Sequence, residues 1–191
     1  MKKLMPMIMI LLTGAFSFAQ GSYQPTQIEV LPASELSITG DTNINTFECN
    51  FNASYTKEAQ KIFYSHNKSQ INFNGAILKL NTEGFDCGSK AINKDFHALI
   101  QSEKHPEILL EVNKVKIQSP SKGLANVCIT IAGIQKFYDV PVQIKNDEVA
   151  HFQGVLGLDI NDFGLEPPKK LFGIIQVKDD IEINFDLKVR K

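Results

Sequence analysis

The sequence predicts an all-β fold, an antiparallel barrel or sandwich with one helix, and three stretches carry that prediction. In the first, Leu124 to Ile144, Val127, Ile129 and Ile131 alternate with Cys128 and Thr130. Further on, Tyr138, Val140, Val142 and Ile144 alternate with Asp139, Pro141 and Gln143. Only an extended chain sends successive side chains to opposite faces, so the stretch reads as a β-hairpin. Its loop spans Ala132 to Lys136, with Gly133 supplying a positive φ. The second stretch is Ile181 to Val189, where Ile181, Ile183, Phe185, Leu187 and Val189 alternate with Glu182, Asn184, Asp186 and Lys188. A last strand of this pattern is suited to seal a barrel. The third is Ser89 to Lys104, the one good helix candidate. Ser89 can cap it, and Ile92, Phe96, Leu99 and Ile100 fall on one face. His105-Pro106 ends it, because the residue before a proline is pushed out of the α region.

The remaining elements follow in chain order. Ile28 to Leu31 and Glu35 to Thr39 read as short strands broken at Pro32-Ala33, and Gly40 to Asn43 as a turn. Ile44 to Phe51 is strand-like. Ile71, Phe73 and Ile77 share an alternating frame that Gly75 can bend or bulge. Ile108, Leu110 and Val112 alternate, and Val115 and Ile117 continue in a shifted frame, which places a bulge or turn near Asn113. After a turn at Asn146-Asp147, Ala150, Phe152, Gly154, Leu156, Leu158 and Ile160 share one face. Leu171 to Val177 is compatible with a helical turn or a strand.

The chain has 191 residues, 43% of them apolar and 21% charged, with a net charge of −1. That length suits one domain. Without a basic run or face, nucleic-acid binding is disfavoured. Residues 1–19 read as a signal peptide: Lys2-Lys3 is a positive start, Leu4 to Phe16 an apolar run too short to span a bilayer comfortably, and Ser17-Phe18-Ala19 a cleavage signal. The mature domain is expected to run over 20–191, starting at Gln20. No cysteine follows the cleavage site, which argues against a lipid anchor, and no later apolar run is long enough for a transmembrane helix. The expectation is an exported, periplasmic or secreted protein that does not span the membrane.

Export permits disulfides, and three cysteines leave at least one unpaired in the monomer. Cys128 lies in a strand run, where a buried apolar thiol is the ordinary role. Cys49 and Cys87 are then the expected pair, with two free thiols as the alternative.

Catalytic constellations are missing. There is no Gly-x-Ser-x-Gly elbow, no His-Glu-x-x-His and no glycine-rich phosphate loop, and Cys-x-x-Cys is absent. The histidines His66, His97, His105 and His151 lack ligand spacing. No catalytic residue, metal site or cofactor is therefore assigned. Thirteen phenylalanines are spread over strands and loops. A barrel of about eight strands either fills with side chains or holds one ligand, and composition does not choose between them.

From about Leu36 to the C-terminus the chain resembles the YceI-like, polyisoprenoid-binding family. Ile129 to Lys136 (ITIAGIQK) is similar to that family's LTIxGxT(K/R) signature. Asn93 to Leu99 followed by His105-Pro106-Glu107-Ile108 resembles its (R/N)xxH(L/M) helix and (Y/H)PxIxF strand, and Asp162-Phe163-Gly164-Leu165 its DFGI connection. The chain departs from the family pattern at Asn45-Thr46-Phe47, at Asn93 in place of a common Arg, at Leu110 in place of Phe, at Cys128, and in having no Trp.

The resemblance implies a lipocalin-like antiparallel β-barrel with one covering α-helix. It further implies an exported binder or carrier of a long isoprenoid-type lipid, a polyprenyl phosphate or an isoprenoid quinone, and no enzymatic activity. A pair like Cys49 and Cys87 occurs in a subset of such proteins. Burying an isoprenoid tail is favourable by about 0.8 kcal/mol per CH₂, and needs a dry tunnel rather than a catalytic group. The expected ligand-binding residues are Phe73, Ile108, Leu110, Ile129, Ile131, Tyr138, Val140, Phe152 and Leu156. A packed interaction barrel without ligand, and an enzyme acting on an amphiphile, are the rival readings. The sequence does not say whether the protein acts alone or as a homodimer.

Overall fold

The computed structural model describes residues 22–56, 59–167, 169–170 and 175–191. The predicted signal peptide, and most of the ambiguous stretch beginning at Leu171, lie outside them. The elements are β1 (Gln24–Val30), β2 (Glu35–Thr42), β3 (Thr46–Phe51), β4 (Gln60–His66), β5 (Gln70–Asn74), β6 (Ile77–Asn81) and β7 (Phe85–Asp86). There follow α1 (Lys90–Leu99), β8 (Glu107–Ser119), β9 (Lys122–Ile131), β10 (Ile134–Asn146), β11 (Ala150–Asp159), β12 (Lys169–Lys170) and β13 (Ile175–Arg190). Every recorded strand pairing is antiparallel.

The strands close into a barrel. The ring runs β1–β4–β5–β8–β9–β10–β11–β13, and β13 returns to β1 through Glu29 opposite Arg190 and Val30 opposite Val189. Two kinks let single stretches of chain serve two levels of that ring. The first is at Leu31 to Ser34, so β13 pairs with β2 along Val177–Asp186 and with β1 at its end. The second is at Gly75 (φ 79°), so β8 pairs with β6 along Glu107–Glu111 and with β5 along Lys114–Lys116. Between those levels the β8–β9 register shifts at Asn113, the bulge expected from the frame change there.

The hairpin at the centre of the sequence is the longest regular pairing of neighbours, from Ile131 opposite Ile134 to Lys122 opposite Gln143. Its loop is tighter than expected, two residues rather than five. Ala132 (φ 48°) and Gly133 (φ 80°) both adopt positive φ, as in a type I′ turn, which matches the twist of the flanking strands.

Three expectations need correction. The helix ends at Leu99, not near Lys104, since Gln101 takes φ 54° and the chain turns before Pro106 is reached. Ile92 does not help to dock it, being 39% exposed; Phe96, Ile100 and, in part, Leu99 face the barrel. Ile77 does not share the frame of Ile71 and Phe73. The Gly75 kink turns it to the outer face opposite Glu111 and sends Leu78 and Leu80 inward beside Leu110 and Ile108.

Helix α1 covers one end of the barrel. Ser89 caps it by accepting the Ile92 amide at 3.2 Å. The Phe96 ring packs 5.1 Å from Phe85, itself 4.9 Å from Phe51, so the helix is tied to β7 and β3 by an aromatic column. Cys49 and Cys87 are joined by a disulfide behind that column, and Cys128 is free and buried.

Candidate ligand-binding interior

Strand register assigns the inward face residue by residue, because directly opposed residues share a face. Leu78, Leu110 and Ile129 form one inward row, and Val112, Val127 and Tyr138 the next. Val115, Ala125 and Val140 follow, then Ile117, Gly123, Val142, Gly154, Phe185 and Leu36. All of the predicted ligand-binding residues belong to this face.

Burial divides the face into two tiers. Ile108, Ile129, Ile131, Val140 and Leu156 are at most 8% exposed and belong to the sealed core, beside Phe163, Ile160 and Phe96. Phe73, Leu110, Tyr138 and Phe152 point inward yet remain partly exposed. Leu78, Val112, Ile117, Val127 and Phe185 share that state and were not singled out from the sequence. Val127 stood in the same alternation as Ile129, and Ile117 was visible once the Asn113 bulge was allowed. Leu78 was hidden by the wrong frame after Gly75. These partly exposed positions are spread along the barrel and alternate with buried Val115, Ala125, Val142 and Ile144, which lie towards the β8–β9 and β10–β11 turns.

A hollow between Val30, Leu36, Phe51, Leu78, Leu80 and Leu187 measures about 10 Å³, room for one water at most. A much larger hollow, about 880 Å³, is lined from β9, β10, β11, β13, β2 and β3 by inward residues, Leu36, Val142 and Phe185 among them, as well as by outward ones. Polar side chains such as Ser37, Asn50, Gln143, Gln153 and Asn184 line it beside apolar Leu36, Phe51, Val142, Val155 and Phe185.

Tyr138 stands where the sealed tier meets solvent. Its hydroxyl donates to Asp162 at 3.2 Å, its ring stacks on Phe163 at 6.4 Å, and Lys136 reaches the other Asp162 oxygen at 3.4 Å. Burial, reinforced by the Asp162 charge, pushes the Tyr138 hydroxyl up to about 12. The hydroxyl is therefore a neutral donor at ordinary pH. Cys128, on the outer face opposite Glu111 and Phe137, has its thiol pushed up by burial and then by Glu111, which makes it a poor nucleophile.

The two histidines flanking the end of the helix go separate ways. His97 Nε2 lies 3.2 Å from the Thr82 carbonyl, whereas the His105 ring packs beneath Gly133. Asp159 accepts the Asn161 amide at 2.8 Å, the ordinary capping role. Among the described residues no group of three His, Cys, Asp or Glu side chains could hold a metal ion.

Comparison with known proteins gives one family and a consistent fold. The family described as the YceI-like domain matches residues 32–189. No curated protein matches the chain. Among solved structures, BcnA of Burkholderia cenocepacia superposes with a TM-score of 0.66 at 20% identity, covering 85% of this chain and 100% of that one. A polyisoprenoid binding domain from Saccharophagus degradans, implicated in plant cell wall breakdown, gives 0.60 at 9% identity over 88% and 99%. A YceI protein of Campylobacter jejuni gives 0.51 at 12% identity over 98% and 89%.

Proposed function

The chain belongs to the YceI-like domain family, and from that membership we propose that it binds one long isoprenoid-type chain inside the barrel, as an exported carrier that does no chemistry on it. The observation that carries the reading is the continuous inward apolar face, of which Phe73, Leu110, Val112, Val127 and Phe152 remain accessible. A related fold described as a polyisoprenoid binding domain supports the same ligand class. An isoprenoid tail is nearly insoluble in water, and such a face would shield it without any reactive group. The hollow beside Leu78 and Leu80 is far smaller than a lipid, so a chain lodged there requires the strands around it to part.

Native mass spectrometry and organic extraction of protein purified from its own host test this directly. A co-purifying polyprenyl phosphate or isoprenoid quinone, at one per chain, is the expected result. A reproducibly empty chain favours the second reading, a packed interaction barrel, for which the sealed positions of Ile129 and Val140 speak.

A further inference from the structure

The near-zero net charge conceals an uneven distribution along the barrel axis. At the end where β4 turns into β5, β8 into β9 and β10 into β11, the exposed Lys68, Lys116, Lys122 and Lys145 have no ion-pair partner among the described residues. Lys145 stands opposite His151, and His151 opposite Lys188, so three basic side chains share one outward row. The Lys191 ammonium lies at this end too, 5.8 Å from the Tyr64 ring centre. Acids are present here as Asp147 and Glu148 in one turn, exposed Glu35 opposite Asp186, Glu29 paired with Arg190, and Asp186 facing His151. At the helix end the exposed acids include Glu83, Asp86, Asp159, Asp162, Asp179 and Asp180. There Lys136 is paired with Asp162 and Lys178 with Asp41, while exposed Lys79, Lys90, Lys94 and Lys104 remain.

The basic end also carries exposed aromatic rings, as the helix end carries exposed Phe137, Ile44 and Ile134. Inward-facing Ile117, Phe73 and Phe152 are partly exposed towards it, and Tyr23 and Phe63 are 51% and 39% exposed on its outside. The Lys61 ammonium sits 5.6 Å from the Phe63 ring centre. Lysines that flank exposed aromatics match a bilayer interface, where the ammonium groups meet anionic head groups and the rings enter the boundary below. A nucleic acid or acidic protein would use the charges but leave the aromatic and apolar surface unanswered.

We propose that this end of the barrel docks on the surface of an anionic lipid membrane. Exchange of the carried lipid at that surface rests on the function proposed above; the docking does not.

Co-sedimentation with vesicles tests the docking, using chains that begin at Gln20, since the sheet and helix described above are built from later residues. Wild-type protein should associate with vesicles of phosphatidylglycerol and phosphatidylcholine in equal parts. Association should fall about tenfold when salt is raised enough to shorten the screening length, and be weak on phosphatidylcholine alone. The combined variant Lys68→Glu, Lys116→Glu, Lys145→Glu should lose about tenfold or more in association, with an unchanged circular dichroism spectrum. Reversing Asp179 and Asp180 to lysine at the far end should leave it within about twofold. Equal binding to phosphatidylcholine vesicles, full binding by the triple variant, or tighter binding to a nucleic acid or acidic polypeptide than to the anionic vesicles at the same salt overturns the proposal. Uptake of an isoprenoid quinone from detergent solution is scored separately. If wild type takes up none yet still docks, the carrier reading fails and the docking stands.

Discussion

The Asn93 side chain binds α1 to the disulfide: its Oδ1 accepts the Cys87 amide at 2.7 Å, while its Nδ2 donates to Asp86 Oδ1 at 3.1 Å. The same Asp86 oxygen accepts the Gly88 amide at 2.9 Å, and with Asn93 this holds the carboxyl below its usual range. Asn93→Ala leaves the Cys87 amide, in a buried residue, without its acceptor, and should cost about 1–3 kcal/mol. Chemical denaturation checks it, and a midpoint equal to wild type would remove the bridge from the account.

The disulfide itself should matter more. It closes a loop with a sequence separation of 38, which in the chain-entropy picture stabilises the fold by about 4 kcal/mol. Cys49→Ala with Cys87→Ala is expected to lose most of that. Non-reducing peptide mapping of the wild type should recover residues 49 and 87 in one linked pair, with Cys128 alkylated only after unfolding.

Phe96 is the side chain that seats the helix. It is 9% exposed and lies against Phe85. Phe96→Ala should destabilise by about 3–5 kcal/mol through the cavity it leaves, whereas Ile92→Ala, at an exposed position, should cost under about 0.5 kcal/mol. Comparable losses in the two variants would contradict the docking described.

Tyr138 gives stability an alkaline edge. Its hydroxyl is raised from about 10 to about 12 in the folded chain. Below the lower value it is neutral in both states, and its bond to Asp162 contributes in full. Between the two values the unfolded chain releases the proton and the folded chain keeps it, so that contribution shrinks as pH rises and is gone above the upper one. The stability difference between wild type and Tyr138→Phe should therefore narrow across that window, and a difference that stays constant through it would be inconsistent with the Asp162 contact.

How much of this was legible in the sequence follows from which signals are local. The hairpin around Gly133 and the strand from Ile181 to Val189 were readable because alternation lies within a few residues. The Asn113 bulge showed itself as a shift between Val112 and Val115. Gly75 was marked as a bend, but nothing local showed that the bend switches the frame, and Leu78 was lost with it. Helix periodicity continued past Leu99 although the backbone does not, because Ile100 packs on the core from a cap position. Closure of the ring rests on Val30 meeting Val189, a pairing between the two ends of the chain that no window of sequence contains. For the site, the inward face could be listed strand by strand. Which part of it stays accessible depends on how side chains from all the strands fill one volume together.

The central claim concerns that accessible tier, and one measurement addresses it most directly: isoprenoid quinone binding by Val127→Phe, compared with wild type and followed with thermal stability. Val127 faces inward between Val112 and Tyr138, next to the sealed Ile129 and Ala125. A phenyl ring there takes up space in the tier while costing about 1–3 kcal/mol in overpacking. The account predicts a folded variant whose affinity for the quinone falls about tenfold or more, a loss of about 1.4 kcal/mol or greater in binding. A folded variant that binds the quinone as tightly as wild type would contradict a ligand chain held between these strands.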